Sequence, residues 1–243
     1  NREISSIADG EKRAEAYLAF VERRAKRIPL QQLLGVQEFM GLEFYVNEHV
    51  LIPRQDTETL VELALEEQRE PGLEVLDVCT GSGCIAVSLA KLGGYRSVTA
   101  LDVSGEALAV AKRNADSLLP DYGGVFRLLQ SDMFAGLEPD ARFDVLVSNP
   151  PYIPSRVIDG LEPEVRDYEP RLALDGSADG LKFYRILAAE GKNHLRHGGA
   201  VYLEIGWDQS EAVSALLAAE GYSGIRTVKD MAGLDRVVRA GWP

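Results

Sequence analysis

Between residues 11 and 27 the apolar positions Ala14, Tyr17, Leu18 and Val21 recur at i, i+3, i+4 and i+7, and Pro29 follows as a stop. That spacing predicts an amphipathic helix. Residues 38–52 change to alternation, with Gly41 and Asn47-Glu48 as turn signals, and predict a β-hairpin that runs out at Ile52-Pro53-Arg54. A second helix is predicted over 56–69. From Glu74 onward strand and helix periods alternate. The predicted strands are Glu74–Cys79, Ser97–Asp102, Val125–Gln130, Phe143–Asn149 and Ala200–Gly206, with helices over 84–92, 105–118, 180–196 and 208–220. Two last strands, Gly224–Lys229 and Arg236–Ala240, flank the loop Asp230–Asp235, which is too short for a crossover and makes them antiparallel neighbours.

This order predicts an α/β fold. Its centre is a doubly wound, mostly parallel seven-stranded sheet of Rossmann-like type with an antiparallel last strand, preceded by a small helical segment and a β-hairpin. In such sheets ligands bind outside the carboxyl ends of the strands, so the residues that follow each strand carry the candidate chemistry.

Residues 148–152 read Ser-Asn-Pro-Pro-Tyr, directly after the apolar run Phe143–Val147. Pro150 and Pro151 donate nothing to a ladder and bias their predecessors away from helix, so the strand ends in a stiff corner. The corner presents the Asn149 carboxamide, the Pro150 carbonyl and the Tyr152 ring. A carboxamide oxygen and a nearby carbonyl form a pair of acceptors for the two hydrogens of a planar NH2 group. A Pro-rich loop with a capping Asn is the plainer reading of the same residues.

Asp77-Val-Cys-Thr-Gly81-Ser-Gly83 joins the first strand of the sheet to its helix. Glycines at 81 and 83 let the backbone approach a ligand, and the helix start offers free N–H groups. Asp102 closes the next strand, where an acidic side chain accepts the ribose hydroxyls of an adenosine cofactor. Ala86 stands at the third glycine position of a dinucleotide fingerprint, so the loop alone does not choose the cofactor. An acidic Asp77 beside the loop suits a cationic ligand better than a pyrophosphate. Asp132, after the third strand, is placed either to hold an adenine amino group or to cap a helix.

Composition narrows the partners. A net charge of −12 argues against non-specific nucleic-acid binding, which depends on neutralising phosphates. Two cysteines, Cys79 and Cys84, share one predicted strand-to-helix turn, which fits a reduced, cytoplasmic setting and too few ligands for a metal. No apolar run is long enough to span a bilayer, and no signal-peptide pattern, repeat or low-complexity stretch occurs. The chain starts at Asn1, so residues upstream of it are expected.

Beyond these features, several segments are similar to the protein-(glutamine-N5) methyltransferases of peptide chain release factors. They are Pro29–Gly35 with Glu38-Phe39, Leu51–Glu58 containing Ile-Pro-Arg, Asp144–Ile153, Tyr168–Leu174 containing Glu-Pro-Arg, Asp179–Leu181, Glu204–Gly206 with Gln209, and Lys229–Val238. The resemblance covers roughly residues 28–241 and is to a family of class I S-adenosylmethionine-dependent methyltransferases. It implies three parts: residues 1–30 as the remnant of a helical substrate-docking domain, 31–54 as a hairpin linker, and 55–243 as the methyltransferase domain. It implies cofactor contacts at Cys79, Thr80, Gly81, Ser82, Gly83, Asp102, Met133 and Asn149, to which the strand-end reading adds Asp132, and substrate contacts at Asn149, Pro150, Pro151 and Tyr152, of which Asn149, Pro150 and Tyr152 are the expected catalytic residues. The implied cofactor is S-adenosylmethionine, leaving S-adenosylhomocysteine. The implied partner is a release factor, with no direct nucleic-acid or membrane binding. Cys79 stands where the family usually has Gly, Met133 where an aromatic is common, and Gln55 where Pro is usual.

A carboxamide nitrogen is a weak nucleophile and a sulfonium methyl needs no activation, so positioning and electrostatics are expected to carry the reaction. Asn149 Oδ1 and the Pro150 carbonyl each accept one amide hydrogen in this reading, and Tyr152 packs on the amide plane. A nucleic-acid amino methyltransferase acting on adenine or guanine would use the same corner with a flipped base, and a non-catalytic nucleotide-binding module would share the fold. Elsewhere, His194 and His197 read as a solvated pair at a helix end, Glu204 as a buried strand residue or a polar contact near the cofactor, and Arg54 with Glu58 as a salt-bridged hinge or a substrate contact.

Overall fold

The computed structural model describes residues 2–70 and 72–243, with side chains from residue 14 onward. The start of the predicted 1–30 segment at Asn1, and the side chains of Glu11, Lys12 and Arg13 in the predicted helix, lie outside the described residues. Helix α1 spans Arg2–Ala25 and α2 Leu30–Leu34, followed by the hairpin β1 Val36–Phe39 and β2 Leu42–Tyr45. Helix α3 covers Gln55–Glu67. The sheet then builds from β3 Glu74–Val78, α4 Cys84–Gly93, β4 Ser97–Asp102, α5 Gly105–Leu118, β5 Val125–Gln130 and β6 Phe143–Ser148. Three short helices, α6 Ser155–Ile158, α7 Pro163–Arg166 and α8 Arg171–Leu174, precede α9 Lys182–Gly191 and a single 3-10 turn, Lys192–His194. The chain closes with β7 Leu195–Glu204, α10 Ser210–Ala219, β8 Ser223–Lys229 and β9 Asp235–Gly241.

The seven-stranded sheet has the order β5-β4-β3-β6-β7-β9-β8, parallel except for β9, which runs antiparallel to both its neighbours. Successive strands step outward from β3 to β5 and the chain then returns to set β6 on the other side of β3. That reversal is the switch point at which a crevice opens. Alternate residues feed opposite layers. Val75, Val145, Val147 and Tyr202 enter one buried cluster, while Leu76, Leu146, Val201 and Leu203 enter the other. Both faces are covered, which is why β3, β4 and β6 read as near-continuous apolar runs.

Several predicted elements differ in extent. The hairpin stops at Tyr45 rather than continuing to 52, because Asn47 Oδ1 accepts from His49 N (3.0 Å) and turns the chain out of the ladder. Val46, Val50 and Ile52 are nevertheless buried. The helix predicted over 180–196 ends at Gly191, where an added Cβ would stand 3.1 Å from Leu146 Cδ1 on the sheet, and β7 starts at Leu195 instead of Ala200. His194 is consequently buried. Its ring stacks on Phe134 at 5.3 Å and its Nδ1 lies 3.0 Å from the Ala141 carbonyl, so the expected solvated pair with His197 does not form. The amphipathic stripe of α1 forms as helix, but Tyr17 and Leu18 remain 69% and 58% exposed.

Candidate active site

A cavity of about 290 Å³ opens at the carboxyl edge, lined by the turns after β3, β4, β5 and β6. Cys79, Thr80, Gly81 and Ser82 line it from the first turn, Asp102 from the second, Asp132 and Met133 from the third, and Asn149 with Pro151 from the fourth. Nine of the twelve sequence-predicted site residues thus line one cavity. Gly83, Pro150 and Tyr152 stand just behind: Gly83 caps α4 in left-handed geometry, and the Tyr152 ring packs against the second core cluster.

The glycine loop is tied from two sides. Gly81 N donates to Asp102 Oδ2 (2.8 Å) and Ser104 N to Asp102 Oδ1 (2.9 Å), so the carboxylate that faces the cavity also fastens the loop. Each oxygen keeps a lone pair free. Burial pushes the Asp102 carboxyl up, against the backbone N–H groups that pull it down. Gly81 has φ +56 and a Cβ there would meet no atom within 4 Å. The backbone at Gly81 is therefore open toward the cavity, beside the Asp102 carboxylate. Cys79 also has a positive φ, +64, although it carries a side chain. Glycine is the residue suited to that backbone. The Cys79 sulfur rests 3.9 Å from Met133 Sδ, so the two departures from the family pattern sit against one another. Burial pushes the Cys79 thiol well above its usual range and the Cys84 thiol up to about 12, which keeps both protonated.

Asp77 does not line the cavity. It is fully buried under the loop, where Oδ2 accepts from Thr80 Oγ1 (2.6 Å) and Oδ1 has no partner among the described residues. Burial pushes its carboxyl up to about 7. Its only side-chain hydrogen bond to a cavity-lining residue among the described residues is the one from Thr80.

The corner after β6 is clamped more fully than the sequence implied. Gln209 Nε2 donates to the Tyr152 carbonyl (3.0 Å), Ile153 N donates to Leu174 O (3.0 Å), and Gly176 N returns to Ile153 O (2.9 Å). Gly180 comes so near that an added Cβ would lie 2.4 Å from the Tyr152 carbonyl. Asn149 Nδ2 donates to Thr57 Oγ1 (3.3 Å) on the first turn of α3. Arg54 lines the cavity while its Nη2 spans Glu169 Oε1 and Oε2 at 2.7 and 2.8 Å. The Ile-Pro-Arg and Glu-Pro-Arg segments therefore pair with each other across the cavity mouth. Glu58 takes no part in that hinge; its Oε1 accepts from Met40 N. Thr57, Pro170, Leu172 and Phe183 also line the cavity, and sequence reasoning missed them as site residues. Thr57 stood within the quoted Leu51–Glu58 segment and Pro170 and Leu172 within Tyr168–Leu174, but none was singled out, and Phe183 follows the quoted Asp179–Leu181.

Two outcomes check this geometry. Asp102→Ala removes the carboxylate expected to accept from a ribose and the tie to Gly81 together, and is expected to raise the dissociation constant for S-adenosylhomocysteine by about 100-fold in calorimetry. Unchanged affinity would remove Asp102 from the cofactor site. The second concerns Glu204, at the end of β7, whose carboxyl burial pushes up to about 7 from the usual carboxylate range. A proton held more tightly by the folded chain stabilises it fully below the unfolded value and is lost as pH rises through the folded one. Glu204→Gln is therefore expected to melt above wild type at pH 8, by on the order of 3 kcal/mol at full ionisation. The gap should close toward pH 5, and a gap independent of pH contradicts the burial argument.

Known proteins share sequence and fold with this chain. The family model of the methyltransferase small domain matches residues 55–159. A release factor glutamine methyltransferase of Geobacter sulfurreducens is 48% identical over 219 residues, covering 90% of this chain and 75% of its own. One of Caulobacter vibrioides is 46% identical over 220 residues, with 90% and 75% covered. Among solved structures, a methyltransferase from Pyrococcus furiosus superposes with a TM-score of 0.62 at 21% identity, covering 90% of this chain and 98% of that one, which shows the shared fold.

Proposed function

The chain belongs to the release factor glutamine methyltransferase family, and from that premise we propose that it methylates the side-chain amide nitrogen of the glutamine in a release factor's Gly-Gly-Gln loop. The methyl donor in this reading is S-adenosylmethionine, which supplies an electrophilic methyl on a cationic sulfur. Cys79 to Gly83, Asp102, Asp132 and Met133 would hold the donor. The Asp102 carboxylate accepts from the ribose hydroxyls, and the loop glycines leave room for the nucleoside to lie on the backbone.

The observation that carries the proposal is Asn149. It lines the same cavity as Asp102 and the glycine loop, with its nitrogen turned to Thr57 and its oxygen left to accept. Asn149 Oδ1 and the Pro150 carbonyl each take one hydrogen of the substrate amide, so the nitrogen is aimed at the methyl before the bond forms. The same two acceptors stabilise positive charge as it grows on that nitrogen. No base of unusual strength is needed, and the proton leaves to water after transfer. Tyr152 sets the corner's backbone through its carbonyl and packs behind the amide.

Residues 1–30 are proposed as the substrate-docking segment, 31–54 as the linker and 55–243 as the methyltransferase domain. The end of α1 and the two residues after it rest against the 155–175 region. Arg24 and Arg27 pair with Glu164, and Tyr168 Oη donates to the Lys26 carbonyl (2.7 Å). A cytoplasmic setting is proposed on the two free cysteines. Among the described residues no helix is long and apolar enough to cross a membrane.

The test uses labelled S-adenosylmethionine with three acceptors in parallel: a release factor, the same protein with its loop glutamine replaced, and total nucleic acid. Label on the intact release factor alone is the expected result. Label on nucleic acid would instead select the adenine- or guanine-methylating alternative, which the net charge of −12 disfavours.

A further inference from the structure

The sheet's register brings Asn149 beside Glu204. Ser148 on β6 pairs with Leu203 on β7, and the next residue of each strand lies at the shared carboxyl edge. Glu204 is 2% exposed, and its Oε2 is buried with no hydrogen-bond partner among the described residues. The Thr57 hydroxyl and the Asn149 carboxamide both favour its charged form by side-chain hydrogen bonding. Thr57 and Asn149 line the cavity, whereas Glu204 stands behind them. A buried carboxyl costs stability, so its retention behind the one carboxamide of the site calls for a role.

We propose that Glu204 is a positioning residue that, with Thr57, holds the Asn149 carboxamide nitrogen inward and its oxygen toward the acceptor amide. The role rests on the amide-gripping function proposed for Asn149. A carboxamide can flip by half a turn with little change in shape, and only its hydrogen-bond partners choose between the two states. An ionised Glu204 accepts and cannot donate. It selects the state in which Nδ2 faces Glu204 and Thr57, and Oδ1 alone meets the substrate. A protonated Glu204 can donate to Oδ1, which stabilises the flipped state and turns an N–H group against the hydrogens of the acceptor amide.

The groups facing Glu204 are Asp56 and Thr57 from α3, Arg236 from β9, Asn149 and Tyr152 from the corner, Tyr184 from α9 and Cys84 from α4. Burial is the largest influence on its carboxyl and raises it to about 7; Thr57, Arg236 and Asn149 pull it down and Asp56 pushes it up. Turnover should therefore fall on the acid side of about 7. Burial pushes Asp77 up to about 7 as well, so the limb must be assigned by substitution.

The experiment is kcat against pH for wild type, Glu204→Gln and Thr57→Val, with a release factor as acceptor, alongside donor-product affinity at each pH. Wild type should lose about tenfold in kcat for each pH unit below the limb. Glu204→Gln should lose the limb and turn over about tenfold more slowly at pH 8, with donor-product affinity unchanged. Thr57→Val removes a hydrogen bond to the charged carboxylate and should shift the limb to higher pH, a readout that survives if Glu204→Gln does not fold. A wild-type profile in Glu204→Gln overturns the proposal, as does an unmoved limb in Thr57→Val or a proportional loss of donor-product affinity. If Asn149→Ala itself keeps wild-type turnover, the amide-gripping reading has failed. If Asn149→Ala is inactive and Glu204→Gln is normal, only the positioning role has failed.

Discussion

Asn149→Ala is expected to lower kcat by about 100- to 1,000-fold while changing the donor's dissociation constant by about threefold or less. The split follows from geometry. The Asn149 oxygen is one of two acceptors proposed for the acceptor amide, and its interaction strengthens as positive charge develops on the nitrogen being methylated. An interaction made mainly in the transition state is lost from kcat and hardly from binding. The donor is proposed to be held mainly elsewhere, by the loop after β3 and by Asp102, which line the same cavity as Asn149. Asn149→Asp is informative beside it. It keeps an acceptor of similar shape but loses the Nδ2 donor to Thr57 and adds a charge beside buried Glu204, so it should also be strongly impaired. Near-wild-type single-turnover rates in Asn149→Ala would show that the corner does not grip the amide.

The second large effect comes from a residue that touches neither ligand. An alanine Cβ at Gly176 would stand 2.8 Å from both Tyr152 Cα and Gly180 Cα, and 2.9 Å from the Pro151 carbonyl. These are backbone atoms, so no side chain can swing aside to relieve the clash. The two segments must separate, and what moves is the corner that carries Asn149. Overpacking of this kind costs about 1–3 kcal/mol of stability. A displacement of about 1 Å at the reacting centre costs about 100-fold in rate. Gly176→Ala should thus fold with a lowered melting midpoint, bind the donor product normally and lose about two orders of magnitude in kcat. Undiminished turnover would mean that the 174–180 clamp does not set the corner's position.

Much of this was legible in the chain because the signals were local. Strands β4 and β5 and helix α5 fall at their predicted bounds, since each is a clean periodic run closed by a strong punctuator. The glycine loop, Asp102 and the corner were legible for the same reason: one strand-to-turn junction each, all delivered to the same sheet edge by topology. What the pattern did not carry was long-range. The start of β7 at Leu195 is set by β6, whose Phe143 pairs with it across a bulge, and no period in 190–200 records that. Burial of His194 depends on Phe134 and Ala141, both far away in sequence. The Arg54–Glu169 pair and the Gln209 clamp on Tyr152 likewise join segments that are distant in the chain. Asp77 was legible as acidic and near the loop, but only the fold shows that it faces Thr80 and not the cavity.

The central claim is that the corner at Asn149 delivers a methyl group to the amide nitrogen of a glutamine in a release factor. Fragment mass spectrometry of a release factor incubated with this protein and S-adenosylmethionine tests it most directly. One added methyl is expected, on the side-chain nitrogen of the Gly-Gly-Gln glutamine, absent when Asn149→Ala replaces the wild-type protein. A methyl on any other residue, or on that glutamine with the Asn149→Ala protein at an undiminished rate, would contradict it.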